Sequence, residues 1–206
     1  MKKHISIFIF LLLISFGISA QQRFKAGVKA GIATTQVDGD TYSGYNKAGF
    51  VGGGFVRAEL NEKWTAQFEI IYTQKGSKHN ANPEKNNFDY YYLGLNYIEV
   101  PILFQYHQKK FMYEFGPGFG YLIKEEEFIN FQNLTGLYPF NKSEISINAG
   151  ISYTIINNLD INWRYSYSIT PVRAHASRAT RWYNPGQMNN VIAFTLTYKF
   201  GSAKTE

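Results

Sequence analysis

Cysteine is absent from this sequence. Its absence excludes a disulfide framework, thiolate metal sites, a cysteine nucleophile and the lipid-bearing thiol of a bacterial lipoprotein. Past Gln22, no apolar run approaches the roughly 20 residues of a membrane-crossing helix. A mean hydropathy of −0.27 is likewise too polar for a helical membrane protein. Charged residues are sparse, at 17% of 206 positions. Phosphate-cradling loops and metal-ligand spacings are missing, so neither a cofactor nor a metal is expected. Aromatics, by contrast, are plentiful: sixteen Tyr, seventeen Phe and three Trp. That surplus favours a β-rich chain with one apolar face. The length suggests one domain or a small pair and is ample for a core without staples.

The first twenty residues read as an address. Lys2 and Lys3 supply a positive start, Ile5 to Ile14 an apolar run, and Ser19-Ala20 a small-residue end before Gln21-Gln22. This pattern predicts a signal peptide over 1–20, cleaved after Ala20. An N-terminal membrane anchor is the alternative, but the apolar run is short for a span of about 20 residues. Losing Lys2 and Lys3 takes the formal charge from +6 to +4. So mild a surplus makes no case for nucleic acid. Residues 21–206 show no interior boundary and read as one domain.

Period-two alternation recurs in eight segments of about ten residues, which is the strand signal. Phe24, Ala26, Val28, Ala30 and Ile32 oppose Lys25, Gly27, Lys29 and Gly31 in the first. The second, Lys47 to Leu60, is less clean, and its Gly52-Gly53-Gly54 run suggests a bulge. Trp64 to Lys75, Tyr97 to Tyr106, Phe111 to Tyr121, Glu144 to Tyr153, Leu159 to Ser168 and Asn190 to Phe200 complete the set. Pro101 cannot donate to a ladder and predicts a bulge or irregularity beside Glu99.

Connection lengths alternate as strictly as the side chains. Tight turns are expected at Asn61-Glu62-Lys63, at 107–110 and at 156–158, and long polar stretches at 35–46, 76–91, 124–142 and 169–189. Short turns alternating with long loops mark an antiparallel, up-and-down transmembrane β-barrel of an outer membrane. With eight strands, both termini fall on the periplasmic side. A soluble barrel would instead turn its apolar face inward. Side-chain volume decides between the two, because an eight-stranded interior would be overfilled by the Trp and Phe of these apolar faces. The opposite faces carry small and polar residues that fit a narrow lumen. The bulky face is therefore expected to meet lipid, with aromatics near strand ends as interfacial girdles.

Several segments resemble a known family. Tyr97-Ile98-Glu99-Val100-Pro101-Ile102-Leu103-Phe104-Gln105-Tyr106, Phe115-Gly116-Pro117-Gly118-Phe119-Gly120-Tyr121, Arg164-Tyr165-Ser166-Tyr167-Ser168 and the closing strand from Asn190 to Phe200 resemble the Bacteroidetes-type outer-membrane β-barrel proteins, PorT-like in character. The resemblance implies an accessory role in protein secretion or gliding. It also implies that the barrel-assembly machinery recognises the last strand through Phe200, although six residues follow it.

The inward register gathers an expected lumen charge network of Lys29, Arg57, Glu59, Glu69, Glu99, Glu114 and Arg164, joined by Lys25, Lys75, Glu144 and Asp160. Charges in a narrow interior persist when paired and hydrogen-bonded, so a structural plug is expected. A narrow polar conduit is the functional alternative. Arg173, His175, Arg178, Arg181 and Trp182 in the fourth loop form a candidate site for lipopolysaccharide phosphates, acidic glycans or an envelope protein. The plainer reading pairs this basic loop with the acidic third loop, Glu125-Glu126-Glu127, as a cap. His175 and Ser177 resemble the His-x-Ser pair of lipid A deacylase barrels. The only carboxylate side chain after Ser177 is Glu206, so the third member of a triad is missing and no catalysis is expected. His79 and His107 are expected to be solvated.

Overall fold

The computed structural model describes residues 24–174 and 186–200. Eight long strands account for most of them: β1 Phe24–Asp38, β2 Lys47–Glu59, β3 Trp64–His79, β4 Tyr91–Gln108, β5 Phe111–Ile129, β7 Ser143–Ile156, β8 Leu159–Ser168 and β9 Met188–Lys199. A two-residue strand, β6 Gln132–Asn133, folds back on the end of β5. Every pairing is antiparallel, and β1 meets β9 from Gly27↔Lys199 to Asp38↔Met188, which closes the sheet into a barrel. Closure satisfies the edges that an open sheet would leave in lipid.

The three tight turns join β2 to β3, β4 to β5 and β7 to β8 at one end. Local chemistry makes them. Asn61 Oδ1 accepts from the backbone N–H groups of Lys63 at 3.0 Å and Trp64 at 2.9 Å. Lys109 takes a left-handed φ of 56° in the turn before β5. The long connections lie at the other end.

Apolar side chains face outward along every long strand, including Val28, Ile32, Phe68, Ile70, Ile102, Phe119, Ile147, Trp163 and Leu196. Aromatic pairs gather near the short-turn end, with Trp64 against Tyr106 at 5.1 Å and Phe111 against Tyr153 at 5.2 Å between ring centroids.

Of two irregularities expected from glycine and proline, the first is absent and the second is a local gap in the ladder without a bulge. β2 keeps one register with both β1 and β3 through Gly52-Gly53-Gly54, so the run holds no bulge. Its glycines make room instead. A Cβ on Gly52 would lie 2.6 Å from the Phe50 ring, and one on Gly53 would lie 2.1 Å from the Ile70 carbonyl oxygen. At Pro101 the register with β3 also continues, from Phe68↔Ile102 to Ile71↔Glu99, although intervening rows are unpaired. The shift lies higher on β4, between Asn96 and Tyr97, where β5 inserts Ile123 as an extra residue.

Above that bulge the strands extend into segments that read as loops in the sequence. There the outside turns polar and the inward face of β4 turns apolar. Tyr91, Leu93, Leu95, Tyr97 and Leu122 point inward and form a cluster with Val37, Phe140 and Val172. This inversion marks where the wall leaves lipid and stands in water, so apolar side chains there gain by turning inward.

Candidate functional site: a filled lumen and its latched mouth

Alternation places one polar residue in two of each strand inside the barrel, and tight turns bring those positions together across it. At mid-lumen, Arg164 on β8 is 5% exposed. Its two terminal nitrogens donate to Glu69 on β3 at 2.7 and 2.9 Å, and its Nε donates to Glu114 on β5 at 2.7 Å. Lys29 on β1 donates to the same Glu69 at 3.2 Å. Amides fill the remaining acceptors: Asn162 donates to Glu114 at 2.9 Å, Gln105 at 3.1 Å, and Gln67 reaches Glu69. Two cations thus face two carboxylates in a low-dielectric interior, which is the condition under which buried charges persist.

Toward the long-loop end, Lys75 lies between Glu99, at 2.7 Å, and Glu144, with Asn189 donating to Glu144. The Lys75 ammonium also sits 4.8 Å from the centre of the Tyr97 ring. Toward the short-turn end, Lys199 pairs with Asp160 at 2.8 Å, and Thr154 donates to the same oxygen at 2.8 Å. Arg57 is buried but has no carboxylate partner among the described residues. It donates twice to Gln67, at 2.9 and 2.7 Å, and faces the Phe55 ring.

Glu59 departs from the lumen set. It pairs with Lys25 at 2.6 Å at the short-turn rim, where the two side chains are 38% and 42% exposed. Both sit at strand ends, beyond the part of the wall that encloses them. Conversely, Lys199, Gln67, Gln105, Asn162 and Asn189 complete the clusters. Their inward parity was readable, but an amide or terminal lysine carries no signal of its partner. His79 and His107 are partly buried instead of solvated, against Asn87 and Thr65.

Between the clusters lies a cavity of about 20 Å³, whose lining includes Val51, Ile71 and Val191 together with Lys29, Glu99 and Arg164. That is room for about one water molecule.

The mouth at the long-loop end is latched. Arg173, in the fourth connection, donates to both oxygens of Glu127 on β5 at 2.7 and 2.8 Å. Its Nε donates to Gln187 at 3.0 Å, and its guanidinium lies 4.0 Å from the Phe140 ring centre. Burial works against the Arg173 charge, but Glu127 outweighs it and raises its pKa above the ordinary guanidinium value. In the first connection, burial pushes the Asp40 carboxyl above the usual carboxylate range. Behind the latch, Val172 N–H donates to Gln187 O at 2.8 Å, and Gln187 N–H to Arg173 O at 2.7 Å. His175, Arg178, Arg181 and Trp182 lie outside the described residues. Replacing Arg173 by Ala should speed hydrogen exchange at the Val172 and Gln187 amides about 10–100-fold, the equivalent of losing about 1.5–3 kcal/mol of charge-assisted bonding. Amides at mid-barrel should be unchanged, as NMR in lipid nanodiscs would show.

The closed eight-stranded wall, apolar outside and charge-paired inside, is the architecture of an outer-membrane barrel. Residues 19–173 match the outer membrane protein beta-barrel domain, and the chain belongs to that family. Neisserial surface protein A is similar at 15% identity, over 85% of this chain and 97% of that one, with a TM-score of 0.54. Ail, the attachment invasion locus protein of Yersinia pestis, is 16% identical over 86% of this chain and 99% of its own, with a TM-score of 0.49. At 15% identity the likeness to Neisserial surface protein A is one of fold. No curated protein sequence matches the chain. The protein is an outer-membrane β-barrel.

Proposed function

We propose that this chain is a non-enzymatic barrel that acts on envelope partners through its long connections, while its lumen stays shut. The filled interior carries the reading: ion-pair clusters occupy the middle, and an apolar plug latched by Arg173 and Glu127 occupies the mouth. A wall built this way leaves the loop surface as the place for recognition.

In this reading residues 1–20 are a cleaved signal peptide. The short turns and both termini face the periplasm, and the long connections face outward, as the even strand number and the loop asymmetry favour. Lipid covers the apolar belt, and the last strand, ending at Phe200, addresses the assembly machinery. The resemblance carried by Tyr97 to Tyr106 and Phe115 to Tyr121 supports a PorT-like accessory role in secretion. A lipopolysaccharide or an envelope protein at the basic fourth connection remains the corresponding ligand.

Planar bilayers test the reading against a narrow channel. Purified protein should show no unitary conductance steps above the lipid baseline at 1 M salt, the order of concentration at which screening is nearly complete. Regular steps of reproducible size, from protein shown to be folded by its heat-dependent gel mobility, would identify a conduit and overturn the proposal. For the enzymatic alternative, lipid A from a His175→Ala strain should match wild type.

A further inference from the structure

The β5–β6 hairpin turns on Asn130 and Phe131, whose φ angles are 47° and 66°. Two consecutive left-handed residues between Ile129 and its partner Gln132 are what a two-residue type I′ turn demands. Glycine is the favoured second residue of such a turn, and a bulky side chain there is an outlier that strains the backbone. Phe131 nevertheless occupies it, and the ring is 78% exposed. Its one face lies flat on Tyr90, with centroids 4.5 Å apart and planes 7° from parallel. Asn130 fixes the arrangement: its N–H donates to Tyr90 O at 2.8 Å and its Oδ1 accepts from Tyr90 N–H at 2.9 Å. Phe88, two residues before Tyr90, is 66% exposed. Strain kept at an exposed side chain points to a use for that side chain.

We infer that Phe131, backed by Tyr90, is a stacking platform for a neutral glycan. The chemistry on the page selects this ligand class. An aromatic face carries partial negative charge and attracts the C–H groups on the flat side of a pyranose ring. The next two residues, Gln132 and Asn133, are exposed amides whose donors and acceptors match sugar hydroxyls. Asp89, exposed between Phe88 and Tyr90, would repel an anionic polymer. The platform stands beyond the point where the barrel wall turns polar outside, so it is offered to water and not to lipid. The inference rests on the reading that the long connections recognise envelope or surface partners, and it names one ligand class for them.

The test uses the full barrel in lipid nanodiscs and three neutral probes: maltoheptaose, cellohexaose and chitohexaose. Saturation-transfer NMR, irradiating aromatic protons, should show transfer to the ring C–H protons of at least one probe. Phe131→Gly should cut that transfer at least fivefold. The same variant should melt no lower than wild type, because glycine is the residue the turn prefers. A lower melting temperature with transfer intact would make the ring a structural stack and overturn the inference, as would the absence of transfer from all three probes. Bilayer conductance remains the separate measure of the closed-lumen reading, so a failure here does not count against that one.

Discussion

Arg164→Met should destabilise the barrel by about 3–5 kcal/mol, the cost of leaving buried carboxylates without their cation. The guanidinium makes three charge-assisted bonds in the lumen, two to Glu69 and one to Glu114, and all three side chains are buried. With Arg164 gone, Lys29 reaches Glu69 alone, at 3.2 Å, and Glu114 keeps only neutral amides. Urea unfolding in lipid vesicles, followed by tryptophan fluorescence and by the heat-dependent shift in gel mobility, measures the loss. The quadruple variant Lys29→Met, Glu69→Gln, Glu114→Gln, Arg164→Met should recover most of it, since removing a whole buried ion cluster is often neutral whereas breaking one is costly. A single variant within about 0.5 kcal/mol of wild type, inside the range of ordinary surface substitutions, would mean that water reaches the carboxylates and that the lumen is open.

Phe68→Arg should cost about 2–4 kcal/mol in the same assay. The residue lies on β3 opposite Val56 and Ile102, is 44% exposed, and looks outward from the middle of the apolar belt. Depth controls the penalty, because an arginine near an interface can reach the headgroups. Phe111→Arg, at the short-turn end where Phe111 stacks on Tyr153, should therefore cost only about 0–1 kcal/mol. Equal effects at the two positions would contradict a lipid-facing belt with interfacial ends.

The distinction between legible and illegible parts follows the range of the interactions. Parity is local: Phe24 against Lys25, or Ile161 against Asn162, already states which face each residue takes, and bulk alone sends the larger face outward. Turn positions were local too, since Asn61 builds its own turn. The upper wall of β4 was hidden because its polarity inverts. Leu93 and Leu95 sit on the inward parity that is polar lower down, and no short window reports where lipid ends. The bulge at Ile123 was equally hidden, while the glycine run that suggested one serves the neighbouring Phe50 ring instead.

Pairing partners are a property of the closed sheet. The sequence by itself determined the strand number, the alternation of short and long connections, the outward apolar face and the inward charges. Only the tertiary structure decided that Arg164 bridges Glu69 and Glu114, that Lys75 takes Glu99 and Glu144, and that Glu59 stays at the rim with Lys25. It also set Arg173 on Glu127 and Phe131 on Tyr90. The reason is geometric. Residues 95 positions apart, as Arg164 and Glu69 are, meet through strand tilt and the register at which β1 joins β9, and those are fixed when the whole barrel closes.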